Sequence, residues 1–227
     1  MKIIAVIPCL NEEHFISDVV FKTIEHVDKV IVIDDGSKDA TARLARDAGA
    51  EVISHTSSQG AGAATRTGLE AALKYGADIV VTLDGDGQHD PREIPLLTKP
   101  MVDGKADLVI GSRFLAEAKV FLYRKFGIEV ITWLYNAGHR HKISDAQSGF
   151  RAYSRKALEC IDITYPGFGF SIETLVQARK YGLTIYEAPV TCIYHDYGST
   201  ENPVTHGLSV VWAVVWLRLV YELFQRK

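Results

Sequence analysis

The chain has 227 residues, 47% hydrophobic and 23% charged, the proportions of a globular domain and not of a disordered or collagen-like chain. Lys and Arg number 25 against 28 Asp and Glu, and a formal net charge of −3 gives no electrostatic case for nucleic-acid binding. Three isolated cysteines, Cys9, Cys160 and Cys192, form neither a CxxC pair nor an even-numbered framework, which points to a reducing compartment.

Lys2 to Pro8 is an apolar run stopped by proline and predicts a buried strand. It starts at the N-terminus, leaving no room for a secretory signal, so a cytoplasmic location is expected. Glu13 to His26 predicts a helix, with Phe15, Val19 and Ile24 in helical spacing. Val30 to Ile33 is a second strand, ended by Asp34-Asp35-Gly36-Ser37. Asp39 to Ala48 predicts a helix stopped by Gly49. Glu51 to Ser54 is a third strand, and a helix of small residues runs from about Gly60 to Tyr75. Ile79 to Leu83 and Leu108 to Ile110 are strands four and five.

Buried strands alternating with helices imply right-handed βαβ units and a mostly parallel, Rossmann-like α/β sheet flanked by helices. Ligands of such sheets sit beyond the carboxyl ends of the strands. Polar segments fall there after strands one (Pro8 to Glu13), two (Asp34 to Asp39), four (Asp84 to Asp90) and five (Gly111-Ser112-Arg113). From about Phe121 the alternation breaks down. Helices are predicted near Tyr123 to Ala137, Arg155 to Ile161 and Ser171 to Tyr181, and one or two strands within Leu183 to Tyr194. The expected organisation is one domain over 1–205, with a nucleotide-binding half (1–115) and an acceptor half (116–205), followed by a C-terminal amphipathic helix at 206–227. The apolar stretch Leu208 to Phe224 is too short and, with Arg218 and Glu222, too charged to span a bilayer, which takes about 20 apolar residues. Trp212 and Trp216 share a face of it, which suits packing on the domain or a twin subunit, or a peripheral membrane contact.

Asp84-Gly85-Asp86-Gly87-Gln88-His89-Asp90-Pro91 carries the most chemistry. At an extended strand end residues two apart point the same way, so Asp84, Asp86 and Gln88 can offer three oxygens to one side. Two carboxylates and an amide oxygen suit a hard divalent ion, Mg²⁺ or Mn²⁺, whose remaining positions are filled by substrate phosphates. An EF-hand starting at Asp84 would need Gly and Glu where His89 and Pro95 stand, and a phosphatase Asp-x-Asp pair would follow the first strand rather than the fourth. A solvated Asp/Gly turn is the plainest alternative.

These segments, together with Ile7-Pro8-Cys9-Leu10-Asn11-Glu12-Glu13 and Ser148-Gly149-Phe150-Arg151, occur in an order that resembles family-two glycosyltransferases, particularly the dolichyl-phosphate mannosyltransferase and glucosyltransferase group. The resemblance implies a GT-A fold and an inverting, metal-dependent transfer of a hexose from a nucleotide-diphosphate sugar (GDP-mannose or UDP-glucose) to a polyprenyl phosphate. It places Pro8, Asn11, Glu12 and Asp35 at the base and ribose, Asp86 and Gln88 on the metal, Asp84 bridging metal and nucleotide, and Arg113 near the phosphates. The glycine-rich stretch Gln59 to Gly68, including Gly60, belongs to the same nucleotide side, with Ser58 where relatives usually carry asparagine.

In the acceptor half, Asp145 is the candidate base toward a hydroxyl, or the orienting group toward a phosphate. Ser148 and Glu173 are further acceptor-side candidates, and Arg124, Lys125, Arg140, Lys142 and Arg151 supply cationic charge that favours a phosphate acceptor. Asp145, Asp86 and Arg113 form the expected catalytic set. A soluble relative acting on a sugar hydroxyl, or a non-catalytic sugar-nucleotide sensor, are the alternative readings. A nucleotidyltransferase would need a glycine-rich, Arg-bearing loop after strand one, where Pro8-Cys9-Leu10-Asn11 stands. His55 receives no role.

Overall fold

A computed structural model describes residues 1–116, 122–138 and 141–193. The elements, in chain order, are β1 (Ile3–Cys9), α1 (Ile16–Ile24), β2 (Lys29–Asp34), α2 (Thr41–Asp47), β3 (Glu51–Ser54), α3 (Ala61–Lys74), β4 (Ile79–Thr82), α4 (Ile94–Val102), β5 (Leu108–Ser112), α5 (Leu122–Asn136), β6 (Arg151–Ser154), α6 (Arg155–Cys160), α7 (Phe170–Lys180) and β7 (Ile185–Pro189). The proposed C-terminal amphipathic helix at 206–227 lies outside the described residues, as does the side chain of Arg124.

The strands form one seven-stranded sheet in the order β3-β2-β1-β4-β6-β5-β7. All neighbours are parallel except β6, which runs antiparallel to both β4 and β5. Alternate residues of each strand feed two cores, as the two-residue strand period requires. Ile4, Val6, Ile31, Ile33, Val80, Leu108 and Ile110 pack against α3, α5, α6 and α7. Ala5, Ile7, Val30, Val32, Ile79, Val81 and Val109 pack against α1, α2 and α4. The result is a three-layer α/β/α sandwich buried on both sheet faces, which is why these strands read as unbroken apolar runs. The small residues of α3 allow close approach to the sheet: a Cβ on Gly68 would lie 2.1 Å from a Val6 methyl.

Three features depart from the sequence expectation. Strand β1 runs through Pro8 to Cys9. Leu83 N–H donates to Val6 O, so Pro8, two residues on, turns its nitrogen to the same side, where β4 has already ended at Thr82. The missing N–H costs no ladder bond there. Helix α4 was not foreseen because Pro95 and Pro100 fall inside it; Pro95 occupies the first turn, where its missing donor is not needed. Strand β6 was also missed, being four residues long and opening with Arg151.

Candidate active site

The carboxyl ends of β1, β2, β4 and β5 and the amino end of β6 share one edge of the sheet. There the Asp84–Asp90 loop is held from several sides. Asp86 Oδ1 accepts from Gln88 N–H at 2.9 Å, and Ile193 N–H donates to Gln88 O at 2.9 Å. Thr82 Oγ1 donates to Gly149 O at 2.8 Å, seating the loop before β6 against the end of β4. Two glycines permit this fit: a Cβ on Gly85 would lie 2.4 Å from Cys9 Sγ, and one on Gly149 would lie 2.8 Å from both Asp84 carboxylate oxygens. His89 is buried beneath the loop, its Nδ1 accepting from Asp84 N–H at 3.4 Å and its ring 5.1 Å from that of Phe150. Burial lowers its pKa to about 4, so it is a neutral wedge.

The site is acidic at its centre. Burial, then the charges of Asp86, Asp84 and Asp39, raise Glu12 to about 7. Burial raises Asp84 as well, against the pull of Arg113 and Arg151. Among the described residues no three or more His, Cys, Asp or Glu side chains converge as a ready-made cage. The two aspartates and one glutamine of the loop fit a hard divalent ion that completes its coordination with substrate phosphates and water, which is how Mg²⁺ is commonly held.

At the same edge stands a largely buried ion pair, near enough for the charge of Arg113 to act on Asp84. Arg113 Nε and Nη2 donate to the two oxygens of Asp145 at 2.7 and 2.9 Å, and Asp145 is 0% exposed. Burial alone would raise the Asp145 carboxyl; the charge and hydrogen bonds of Arg113, with the Gln147 and Arg113 backbone N–H groups, outweigh it and hold the pKa below its ordinary value. The structure therefore joins Asp145 and Arg113 as one unit and leaves Asp145 ionised.

Several candidates from the sequence turn out to be structural ties. Asp35 accepts from Ser58 Oγ (2.7 Å), Gln59 N–H, Gly60 N–H and His55 Nδ1 (2.6 Å), so its carboxylate organises the Ser58–Gly60 loop. Arg151 is 1% exposed and donates to the carbonyls of Ser148, Ser171 and Ala146 and to Thr174 Oγ1, which makes it a buried strut. Glu173 is 1% exposed and accepts from Thr164 N–H, Thr164 Oγ1 and Tyr165 N–H, so it too ties the fold together. The loop it holds places Pro166 O on the N–H groups of Gly62 and Ala63, closing the N-terminus of α3. Ser148 is buried, its Oγ accepting from Phe150 N–H.

Asn11 is a loop hinge, at φ +58°: its N–H donates to Ser37 Oγ and its Oδ1 accepts from Lys38 N–H, tying the loops after β1 and β2. Glu12 hangs from the same joint through its N–H to Thr41 Oγ1 at 2.7 Å. Pro8 is half-buried within β1. His55, given no role by its sequence context, bridges Asp35 and Thr67 Oγ1 (3.0 Å); only the fold brings these partners together.

One edge of the α/β sheet thus carries an acidic loop after β4 and the fixed Arg113–Asp145 pair after β5, a polar rim of the kind at which α/β sheets bind ligands. The chain belongs to glycosyl transferase family 2, whose family model matches residues 4–162, and it is a glycosyltransferase of GT-A fold. It is 32% identical to the UDP-N-acetylglucosamine–dolichyl-phosphate N-acetylglucosaminyltransferase of Methanococcus voltae over 94% of this chain and 95% of that one. It is 29% identical to the undecaprenyl-phosphate mannosyltransferase of Micrococcus luteus, over 96% of this chain and 99% of the relative. Among solved structures, glucosyl-3-phosphoglycerate synthase of Mycobacterium tuberculosis, crystallised with Mn²⁺, UDP-glucose and phosphoglyceric acid, superposes with a TM-score of 0.79 at 24% identity, covering 95% of this chain and 79% of that one.

Proposed function

We propose that this enzyme transfers a sugar from a nucleotide diphosphate to a polyprenyl phosphate, working at the cytoplasmic membrane face by peripheral contact. Among the described residues no helix is long and apolar enough to cross a membrane. The observation that carries the acceptor assignment is the state of Asp145. Its carboxylate is buried, ionised and gripped at both oxygens by Arg113, so it is poorly disposed to take a proton from a sugar hydroxyl. A phosphate monoester needs no such base, because its second pKa is about 6 and it arrives as a nucleophile. The end-to-end relatives named for dolichyl and undecaprenyl phosphate support the same reading.

Asp84, Asp86 and Gln88 would hold Mg²⁺ or Mn²⁺, which supplies Lewis-acid neutralisation of the leaving diphosphate. Arg113, directed by its bonds to Asp145, adds a fixed positive charge that acts on Asp84 and would serve where charge develops on transfer. Glu12, raised to about 7 by burial and by Asp86 and Asp84, adds a carboxyl group beside them whose proton a bound cation would displace. The Ser58–Gly60 loop, shaped by Asp35, lines the nucleotide side.

The test is transfer of radiolabelled sugar from GDP-mannose, UDP-glucose and UDP-N-acetylglucosamine to polyprenyl phosphate, with Mn²⁺ and with EDTA. Lipid-linked label that disappears in EDTA and with Asp86→Ala supports the proposal. Label only in sugar-hydroxyl acceptors, or undiminished transfer in EDTA, refutes it.

A further inference from the structure

The Arg113–Asp145 pair is itself held by an acidic residue on the neighbouring strand. Glu187 lies in β7 opposite Ile110 of β5. Its carboxylate accepts from Ser144 N–H at 2.9 Å, from Ser144 Oγ at 2.7 Å and from Asp145 N–H at 3.2 Å. Ser144 Oγ is also 2.6 Å from Ser112 Oγ, and Ser112, wholly buried, immediately precedes Arg113 on β5. Ser144 has one hydroxyl proton and donates it to Glu187, so in the Ser112–Ser144 contact Ser112 is the donor. A closed ring results, running from Glu187 through Ser144 to Ser112 and Arg113, and back through Asp145 to Glu187.

We propose that Glu187 is a positioning residue for Arg113. It fixes the backbone of residues 144–145, so that the Asp145 carboxylate meets the guanidinium square on, and it does so without touching substrate. Each link alone is ordinary. The inference rests on one carboxylate accepting both consecutive N–H groups of the segment that delivers Asp145, while its serine branch pins the residue before Arg113. Ser144 N–H lies 2.9 Å from both carboxylate oxygens of Glu187, so in Glu187→Gln the amide NH₂ faces that N–H, donor against donor, with the side-chain volume unchanged. The importance of Arg113 to transfer comes from the reading proposed above; its positioning by Glu187 does not.

The experiment therefore has two arms, on the full chain. In the first, the Arg113 Nε–H resonance is assigned in a ¹H–¹⁵N spectrum by its loss in Arg113→Lys, and followed in Glu187→Gln and Ser112→Ala. Both variants should shift or broaden it and speed its exchange with solvent, while the thermal midpoint shows that the fold persists. In the second, Glu187→Gln should lower kcat by about tenfold to a hundredfold, the scale of a displaced catalytic group, with donor KM changed less than about threefold. Combined with Asp145→Asn it should add almost nothing, because both act through Arg113. An unshifted Arg113 resonance in either folded variant overturns the proposal, as do effects of Glu187→Gln and Asp145→Asn that multiply. Should Glu187→Gln not fold, Ser112→Ala decides the first arm alone. If the resonance responds but no donor yields lipid-linked sugar, the acceptor reading fails and the positioning role stands.

Discussion

Gly149 rests against the carboxylate of Asp84 so closely that no side chain fits between them: an added Cβ would lie 2.8 Å from each oxygen. The obstructed atoms end a side chain, so Gly149→Ala should move Asp84 and leave the fold standing. Transfer activity and Mn²⁺ affinity are expected to fall at least tenfold with a stability loss below about 1 kcal/mol. Gly62→Ala is the contrast, because its Cβ would lie 2.1 Å from the backbone oxygen of Tyr165. There the fold itself must shift, costing about 1–3 kcal/mol or more. Urea unfolding and Mn²⁺ titration of the two variants separate the cases; equal stability losses would contradict this account.

Breaking the Arg113–Asp145 pair strands a buried charge. Asp145→Asn should destabilise the protein by about 3–5 kcal/mol, measured by denaturant unfolding. The depressed Asp145 pKa also sets a direction with pH. Its contribution is complete above the ordinary carboxylate value of 3.8 and is lost as acid reaches the lower value it has in the fold. The stability gap between wild type and Asp145→Asn should therefore narrow only below about pH 4; a gap that narrows between pH 5 and 7 would count against the assignment.

Glu12 behaves in the opposite sense. Its value rises from 4.5 to about 7, through burial first and then through Asp86, Asp84 and Asp39. Between those values the folded chain keeps a proton that the unfolded chain has released, so this group's contribution to stability falls as pH rises across that window and is level beyond it. Glu12→Gln should gain on wild type from about pH 4.5 to 7 and hold the advantage above. Urea midpoints in a series of buffers check it, and a difference independent of pH would remove the argument.

Arg151→Met tests whether that side chain is a strut. The substitution orphans the carbonyls of Ala146, Ser148 and Ser171, and an unsatisfied buried acceptor costs about 1–3 kcal/mol. A total loss of at least about 3 kcal/mol is expected, read as a lower thermal midpoint. A fully stable variant with a raised acceptor KM would instead return Arg151 to the cleft.

The strand core was legible because β1, β2, β4 and β5 are covered on both faces and need continuous apolar runs. Strand β6 was hidden by Arg151, whose charge is satisfied by three carbonyls and a threonine that a linear reading cannot assemble. At the ligand edge the residue types announced the acidic loop and Arg113. The engagement of Asp35 and Glu173 was not visible, since their partners are largely backbone N–H groups brought up by loops, and any residue can supply those. Glu187 and His55 escaped for a related cause: each lies in an unremarkable stretch and gains meaning only from the segment folded against it.

The reversed direction of β6 has a bearing on how such enzymes diversify. Had that strand run with its neighbours, the stretch entering it would emerge at the far end of the barrel-less sheet, remote from chemistry. Because it is inverted, the 141–150 segment arrives at the same edge as the carboxyl ends of β4 and β5, the two strands that flank it. That one segment can therefore vary at the ligand edge while the parallel strands on either side keep their register.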